Sequence, residues 1–385
     1  MTSSPTPTDE EEVYGVTTLE LFFDLVFVFT LIRLTDVLIG EFSPLGLFQI
    51  VLMFGVLWWM YGGYAWLTNM TAPKATAHRL LILAGMGGFF MVAIGTPTAF
   101  TGGGGLVWGL GYLLLVLAHV TLYARGNPNI LRVLPANLLA AALIIAAGLL
   151  DGGPAVYVLW TIALVVPIVQ PYIVPAGGLF RIRPEHIVER HGLLVMITLG
   201  ESIISVGTGA AHAHLDAGLV VAALLGLALA AAIWWTYFTG DDERAEETLA
   251  AADDARRTQM TMFGYFYAHI PLIVGVLVTA AGMKKAVEHA WEHLKPGTAL
   301  AIAGGVALYL AGDVLFRRIM RIGPSRIRLA AAAASLATIP LGLWLATAEI
   351  AALIAILTTT VLLERRSPAP SKGNPASHHP SPAPG

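Results

Sequence analysis

The chain contains no cysteine in 385 residues, which excludes disulfides, thiolate chemistry and cysteine-held metals or haem. Charge is scarce as well. Only 12% of residues are Asp, Glu, Lys or Arg, against about 25% in an ordinary soluble domain. So few charges leave a globule of this size without enough polar surface to face water. There is no HExxH, so no metal site is expected. The glycine run 102–105 follows no strand and has no lysine beside it, which rules out a phosphate loop and leaves no cofactor to propose. A net charge of −3 without any basic motif gives no reason to expect a nucleic-acid partner. The opening residues MTSSPTPTDEEEVYG are acidic and lack a basic start and a cleavage site, so no signal peptide is expected.

What the chain has is apolar length. Hydrophobic residues make up 56% of it, and the mean hydropathy is +0.73. Stretches of about 18–22 apolar residues recur from end to end, each long enough to cross a ~30 Å hydrocarbon layer as a helix. Runs such as 138–150 do not alternate apolar with polar, which excludes a barrel. The expected fold is all-α, a polytopic integral membrane protein whose first partner is the lipid bilayer. Twelve spans are expected near 18–39, 45–67, 79–98, 105–124, 132–150, 155–175, 187–209, 217–238, 260–282, 298–318, 327–345 and 347–363. An acidic tail over 1–17 and a Pro/Ser/His-rich tail over 364–385 are expected to be disordered, and His378 and His379 belong to the second.

Basic residues orient such a protein, because they favour the cytoplasmic side. With twelve spans, 18 of the 22 Lys and Arg residues fall on the side shared by the two termini. Lys284, Lys285 and Lys295 fall on the other, and Arg33 lies within a span. This bias places both termini in the cytoplasm.

The chain also resembles itself. Glu20 opens the first span and Glu189–Arg190 the seventh; Trp58–Trp59 and Trp234–Trp235 close the second and the eighth. LVLAHVTLYAR (115–125) closes the fourth and LYLAGDVLFRR (308–318) the tenth. The matches keep their order, which predicts two parallel six-helix halves, 18–179 and 180–363.

These residues carry a family resemblance. Glu20-Leu-Phe-Phe-Asp24-Leu-Val-Phe-Val-Phe29 resembles the signature of the bacterial low-temperature-requirement protein A family. Glu189-Arg190-His191-Gly192 with Leu199-Gly200-Glu201-Ser202 is similar too, as are the double Trp with Asp241 and Tyr265-x-Tyr267-x-His269-Ile-Pro271. The resemblance spans nearly the whole membrane part. It implies a multi-pass bacterial membrane protein and leaves the chemistry open. Arg33 departs from the family, where an uncharged Gln or Thr is expected.

Ionisable groups inside a span cost a few kcal/mol each on insertion scales and mark function. Glu201 lies eleven residues beyond Arg190, about 16 Å along a helix and on nearly the same face. It therefore falls near the bilayer midplane, with Thr198, Ser202 and Ser205 beside it as the lining of a path for a small solute, ion or proton. The bland alternative is helix–helix glue. Aligning Glu20 with Glu189 puts Arg33 opposite Ser202, which predicts an Arg33–Glu201 pair or a polar cavity shared by the two; Asp36, one turn on, is the competing partner. Glu20 and Asp24 share a face near the cytoplasmic entrance, and Thr17 with Glu20 fits a capping box. Asp24 needs a partner, and Arg190 and His191 lie at its depth. Glu20, Asp24, Glu189, Arg190 and His191 are thus read as a cytoplasmic gate or clamp.

His119, His269 and Asp313 read as satisfied core groups, the four tryptophans at span ends as an interfacial belt, and 241–243 as a solvated loop. The functional readings are a secondary transporter or ion- or proton-coupled permease, a membrane enzyme acting on a lipid-like substrate, or a non-catalytic envelope component.

Overall fold

A computed structural model describes residues 15–366, apart from 41–42, 71–74, 125–130, 151, 174–181 and 212. The tail expectations, His378 and His379 included, lie almost wholly outside the described residues. Within them the chain is helical throughout. Six helices come first: α1 (Thr18–Gly40), α2 (Pro44–Met70), α3 (Thr76–Gly95), α4 (Gly104–Tyr123), α5 (Leu134–Gly148) and α6 (Pro154–Ile173). Nine follow: α7 (Pro184–Ala211), α8 (Ala217–Tyr237), α9 (Asp241–Ala251), α10 (Asp254–Thr261), α11 (His269–Glu288), α12 (Pro296–Met320), α13 (Arg326–Leu336), α14 (Ile339–Trp344) and α15 (Ala346–Arg366). In hydrocarbon a backbone N–H or C=O has no water to bond, so an apolar chain satisfies these groups within helices.

Nine helical stretches among the described residues are long and apolar enough to cross a membrane. The other three expected spans are helical too, each with a reason for falling short. α1 carries Glu20, Asp24, Arg33 and Asp36, α5 has 15 residues, and the apolar stretch of α6 over 154–170 is short. Large apolar side chains such as Leu80, Ile94, Leu224, Leu329 and Leu363 stand exposed on the outside of the bundle. In water such a surface invites aggregation; lipid is the solvent that tolerates it.

Two tight hairpins organise the packing. In α3–α4, a Cβ on Gly88 would stand 2.8 Å from the Gly111 carbonyl oxygen. In α11–α12, a Cβ on Gly275 would stand 2.4 Å from the Tyr309 nitrogen, and one on Gly305 2.6 Å from the Thr279 nitrogen. Glycine is required at these crossings because backbone meets backbone. Around the hairpins, α1 packs on α2, α3, α7 and α11, while α7 packs on α8, α9 and α11. The α1–α7 contact is therefore the centre of the molecule.

Three irregular segments interrupt the helices. Met262–Tyr267 is a π-helical turn, closed by the Ala268 N–H on the Phe263 carbonyl at 2.9 Å. It leaves the Phe266 carbonyl free to accept the Trp58 indole N–H at 2.8 Å. Gly62 makes room for this contact, since a Cβ there would fall 1.9 Å from the Phe266 ring. The other breaks follow α13 and α14, at Thr338 and at the extended Leu345.

The aromatic-belt expectation needs correction. α2 runs on to Met70, so Trp58 and Trp59 lie within it rather than at its end. Trp58 is buried, and Trp59 donates to Asn137 Oδ1 at 3.0 Å. Trp234 and Trp235 are the exposed pair.

Candidate functional site

The site is built from α1 and α7, held together at two levels. Asp24 and Thr35 are eleven residues apart on α1, and so are Arg190 and Glu201 on α7. Cross-contacts at both levels mean that the two helices run side by side in the same direction, with about 16 Å between levels.

The first level is a buried ionic latch. Arg190 Nη1 donates to Glu20 Oε1 at 2.8 Å and Nη2 to Asp24 Oδ1 at 2.9 Å, with all three side chains at most 2% exposed. Arg190 Nη1 also donates to Thr68 Oγ1 on α2, and its guanidinium stands 5.6 Å from the Tyr61 ring centroid. His186 Nε2 donates to Glu20 Oε1 at 3.0 Å, while Nδ1 accepts from Asn69 at 3.4 Å. Glu20 serves two roles through separate oxygens. Its Oε2 accepts the Thr17 N–H at 2.9 Å and the Thr17 hydroxyl at 2.8 Å, completing the expected capping box. Two carboxylates thus meet one guanidinium. Desolvating these charges makes good geometry essential, and loss of Arg190 leaves Asp24 without its cation and Glu20 with only His186 and its cap.

Above the latch the helices are sealed by apolar and aromatic side chains. Phe27 and Tyr61 stack at 4.3 Å, and Leu31, Leu194 and Val195 are fully buried. Beyond this plug lies the second level. Glu201, 3% exposed, accepts on Oε1 from Ser205 at 3.0 Å and from Thr35 of α1 at 3.2 Å. Among the described residues its Oε2 has no hydrogen-bond partner and is buried, and so is the hydroxyl of Ser202, the next residue. Thr198, also buried, turns its hydroxyl back to the Leu194 carbonyl at 2.8 Å.

At the far end of α1 the surface carries partly exposed charges. Arg33 Nη1 contacts Asp36 Oδ2 at 2.8 Å, and Lys284 Nζ lies 3.8 Å from Asp36 Oδ1, with side chains 24–37% exposed. Arg33 thus pairs with its neighbour Asp36, the competing partner, and the first helix meets Glu201 through Thr35, two residues and about 200° further around the helix.

The gate residues divide in the same way. Glu20, Asp24 and Arg190 come together, whereas Glu189 is exposed and accepts the Val16 N–H at 3.0 Å. His191 does not reach Asp24. Its Nδ1 donates to the Ile187 carbonyl at 2.8 Å, and its ring packs 5.2 Å from His269 and 4.9 Å from Tyr265. His269 donates through Nδ1 to the Gly264 carbonyl within the π-turn and accepts from the Tyr237 hydroxyl at 3.0 Å. His186 was missed, although its place one turn before Arg190 on the same face was a readable signal.

A second buried charge cluster was also missed. Arg317 donates to Asp241 at 2.5 Å and to both oxygens of Glu364 at 2.7 and 3.1 Å. Arg328 contacts Asp313 at 2.5 Å and Glu364 at 3.0 Å. Asp241 is thus a buried anion at the start of α9 rather than part of a solvated loop, and Asp313 is paired as expected of a core group. This clasp ties α9, α12, α13 and α15 together. It lies at the same end of the bundle as the latch, because Ile187 and Val188 of α7 pack into one apolar cluster with Ala245, Leu249, Phe316 and Met320.

Residues 15–363, which include the latch, Glu201 and nearly all of the clasp, match the family described as Bacterial low temperature requirement A protein (LtrA). The chain is also 32% identical over 317 residues to "Uncharacterized protein RA0937" of Rhizobium meliloti (strain 1021), covering 78% of this chain and 76% of that protein. This protein belongs to the bacterial low temperature requirement A family.

Proposed function

We propose that this protein is a secondary transporter, a permease coupled to a proton or another ion, in the bacterial cytoplasmic membrane. In this reading the chain crosses twelve times, with both termini and the end bearing latch and clasp in the cytoplasm. α1 to α6 form one half and α7 to α15 the other. Matching neighbours support the division: hairpin α3–α4 corresponds to α11–α12, α1 on α3 to α7 on α11, and α2 on α6 to α8 on α15. The bias of basic residues supports the orientation.

The observation that carries the proposal is the unpartnered side of Glu201. Among the described residues, one of its carboxyl oxygens and the neighbouring Ser202 hydroxyl are each buried with no hydrogen-bond partner. They lie along α7 between the charged residues at one end and the aromatic plug and ionic latch at the other. Buried polar atoms are normally bonded, so a pair left open at mid-depth suits a transient occupant. Glu201, Ser202, Ser205 and Thr198 form the path in this reading, and Thr35 replaces Arg33 as the contribution of α1. The latch of Glu20, Asp24 and Arg190 closes the cytoplasmic side, and its parting admits the occupant to the cell. A membrane enzyme finds less support, because His191, its natural acid–base residue, is enclosed among Tyr265, His269 and the Ile187 carbonyl.

The test is uptake and proton flux in proteoliposomes over a panel of small solutes and ions, wild type against Glu201→Gln. The wild type is expected to exceed protein-free vesicles for at least one solute, and the variant to lose that excess. Equal background flux for both across the panel overturns the proposal.

A further inference from the structure

One buried carboxyl has no place in this path. Glu349 lies in the first turn of α15, just after the break at Leu345, whose backbone is extended at φ −156° and ψ 123°. The restart of the helix is fixed from the connection before α12. The Ala346 N–H donates to the Glu292 carbonyl at 3.0 Å, the Thr347 N–H to the Ala290 carbonyl at 3.3 Å, and the Leu294 N–H to the Gly342 carbonyl at 2.9 Å. Glu349 itself is 0% exposed, and both of its carboxyl oxygens are buried without a hydrogen-bond partner among the described residues.

The group fills a slot made for it. A Cβ on Gly342 would stand 2.0 Å from Glu349 Oε2 and 3.1 Å from the Ala299 methyl, so the absence of a side chain at 342 is what lets the carboxyl lie between α14 and α12. The surrounding segments bring no counter-charge. α8 and α14 have no charged residue. On α11, Lys284 faces Asp36 and Lys285 faces Glu288. On α12, Asp313 and Arg317 belong to the clasp, as do Arg328 of α13 and Glu364 of α15 itself. In the connection, His289 pairs with Glu292, and His293 and Lys295 are exposed.

A carboxylate needs donors or a cation, and this site supplies neither. A proton is the ligand that removes the charge and asks for no further room. We propose that Glu349 is a proton-binding site, separate from Glu201, filled while α14 and α15 are packed and emptied when the Gly342 slot opens to water. The step is a simple dissociation: the carboxylic acid gives its proton to water and leaves a carboxylate in the first turn of α15, where the helix dipole favours an anion. The proposal does not rest on transport.

The test is infrared spectroscopy of lipid-reconstituted protein carrying isotope-labelled glutamate, which separates Glu from Asp. At neutral pH the wild type is expected to show a protonated glutamic acid carbonyl band. Glu349→Gln should lose it, Glu201→Gln should retain it, and raising the pH should diminish it in the wild type. An unchanged acid band in Glu349→Gln overturns the proposal. So does a thermal stabilisation by sodium or calcium chloride, relative to choline chloride, that the wild type shows and Glu349→Gln lacks, because the occupant is then a metal ion. Should Glu349→Gln fail to fold, Gly342→Ala displaces the carboxyl and is expected to weaken the same band; an unaltered band there also overturns the proposal. Because none of these readouts is a flux, this site and the transport reading fail independently.

Discussion

The latch and the clasp are both buried ionic clusters at one end of the bundle, yet they are wired differently. In the latch a single guanidinium holds two carboxylates and joins helices whose paired residues lie 166 and 170 positions apart in the chain. In the clasp two buried guanidiniums share three carboxylates, Glu364 is contacted by both, and a third, the exposed Arg244, reaches Asp241 at 2.7 Å. Its members all fall within the last part of the chain. A cluster with one guanidinium opens when that group moves; in the clasp the loss of either Arg317 or Arg328 leaves Glu364 and Asp241 partnered. Redundancy therefore separates a contact suited to breaking from one suited to holding.

The comparison predicts an ordered set of effects. Arg190→Met strands Asp24, leaves Glu20 only His186 and its cap, and is expected to destabilise the protein by about 3–5 kcal/mol, the cost typical of breaking a buried pair. Thermal unfolding in detergent, followed by size-exclusion chromatography, measures it. Arg328→Gln should cost less, about 1–3 kcal/mol, because Arg317 still reaches Glu364 and Asp241 and the main loss is one unsatisfied buried group at Asp313. If the two variants melt alike, redundancy is not the difference between the clusters. Gly275→Ala, which touches neither cluster, is expected to cost about 1–3 kcal/mol through overpacking of α11 against α12. Gly62→Ala should perturb the Trp58–Phe266 contact less, because a ring can move where backbone cannot, and Trp fluorescence reports it. Smallest of all, Arg33→Gln should change stability by less than about 0.5 kcal/mol, as expected of a half-exposed pair one turn apart.

Helix content, the family and the meeting of Asp24 with Arg190 were legible in the sequence, because apolar length and residue spacing translate directly into span and depth. Azimuth was not. Arg33 and Thr35 differ by two positions and face opposite ways, and nothing in one sequence says which side of α1 turns to α7. The clasp escaped notice for a different reason: Asp241, Asp313, Arg328 and Glu364 come from four segments that only the packed bundle assembles. Glu349 was hidden as well. Its meaning depends on Gly342 and Ala299 closing around it, and on the absence of any donor among neighbours from separate helices.

The π-turn at Met262–Tyr267 sets the angular phase of everything after it. One surplus residue in a helix rotates the remainder by about 100°, so the glycine face of α11 meets α12 because the chain is one position longer than a regular helix requires. Removing a single residue there would turn Gly275 away from Tyr309 and His269 away from Tyr237 at once, without altering any side chain. In this segment residue count is itself a specification, as exacting as residue identity.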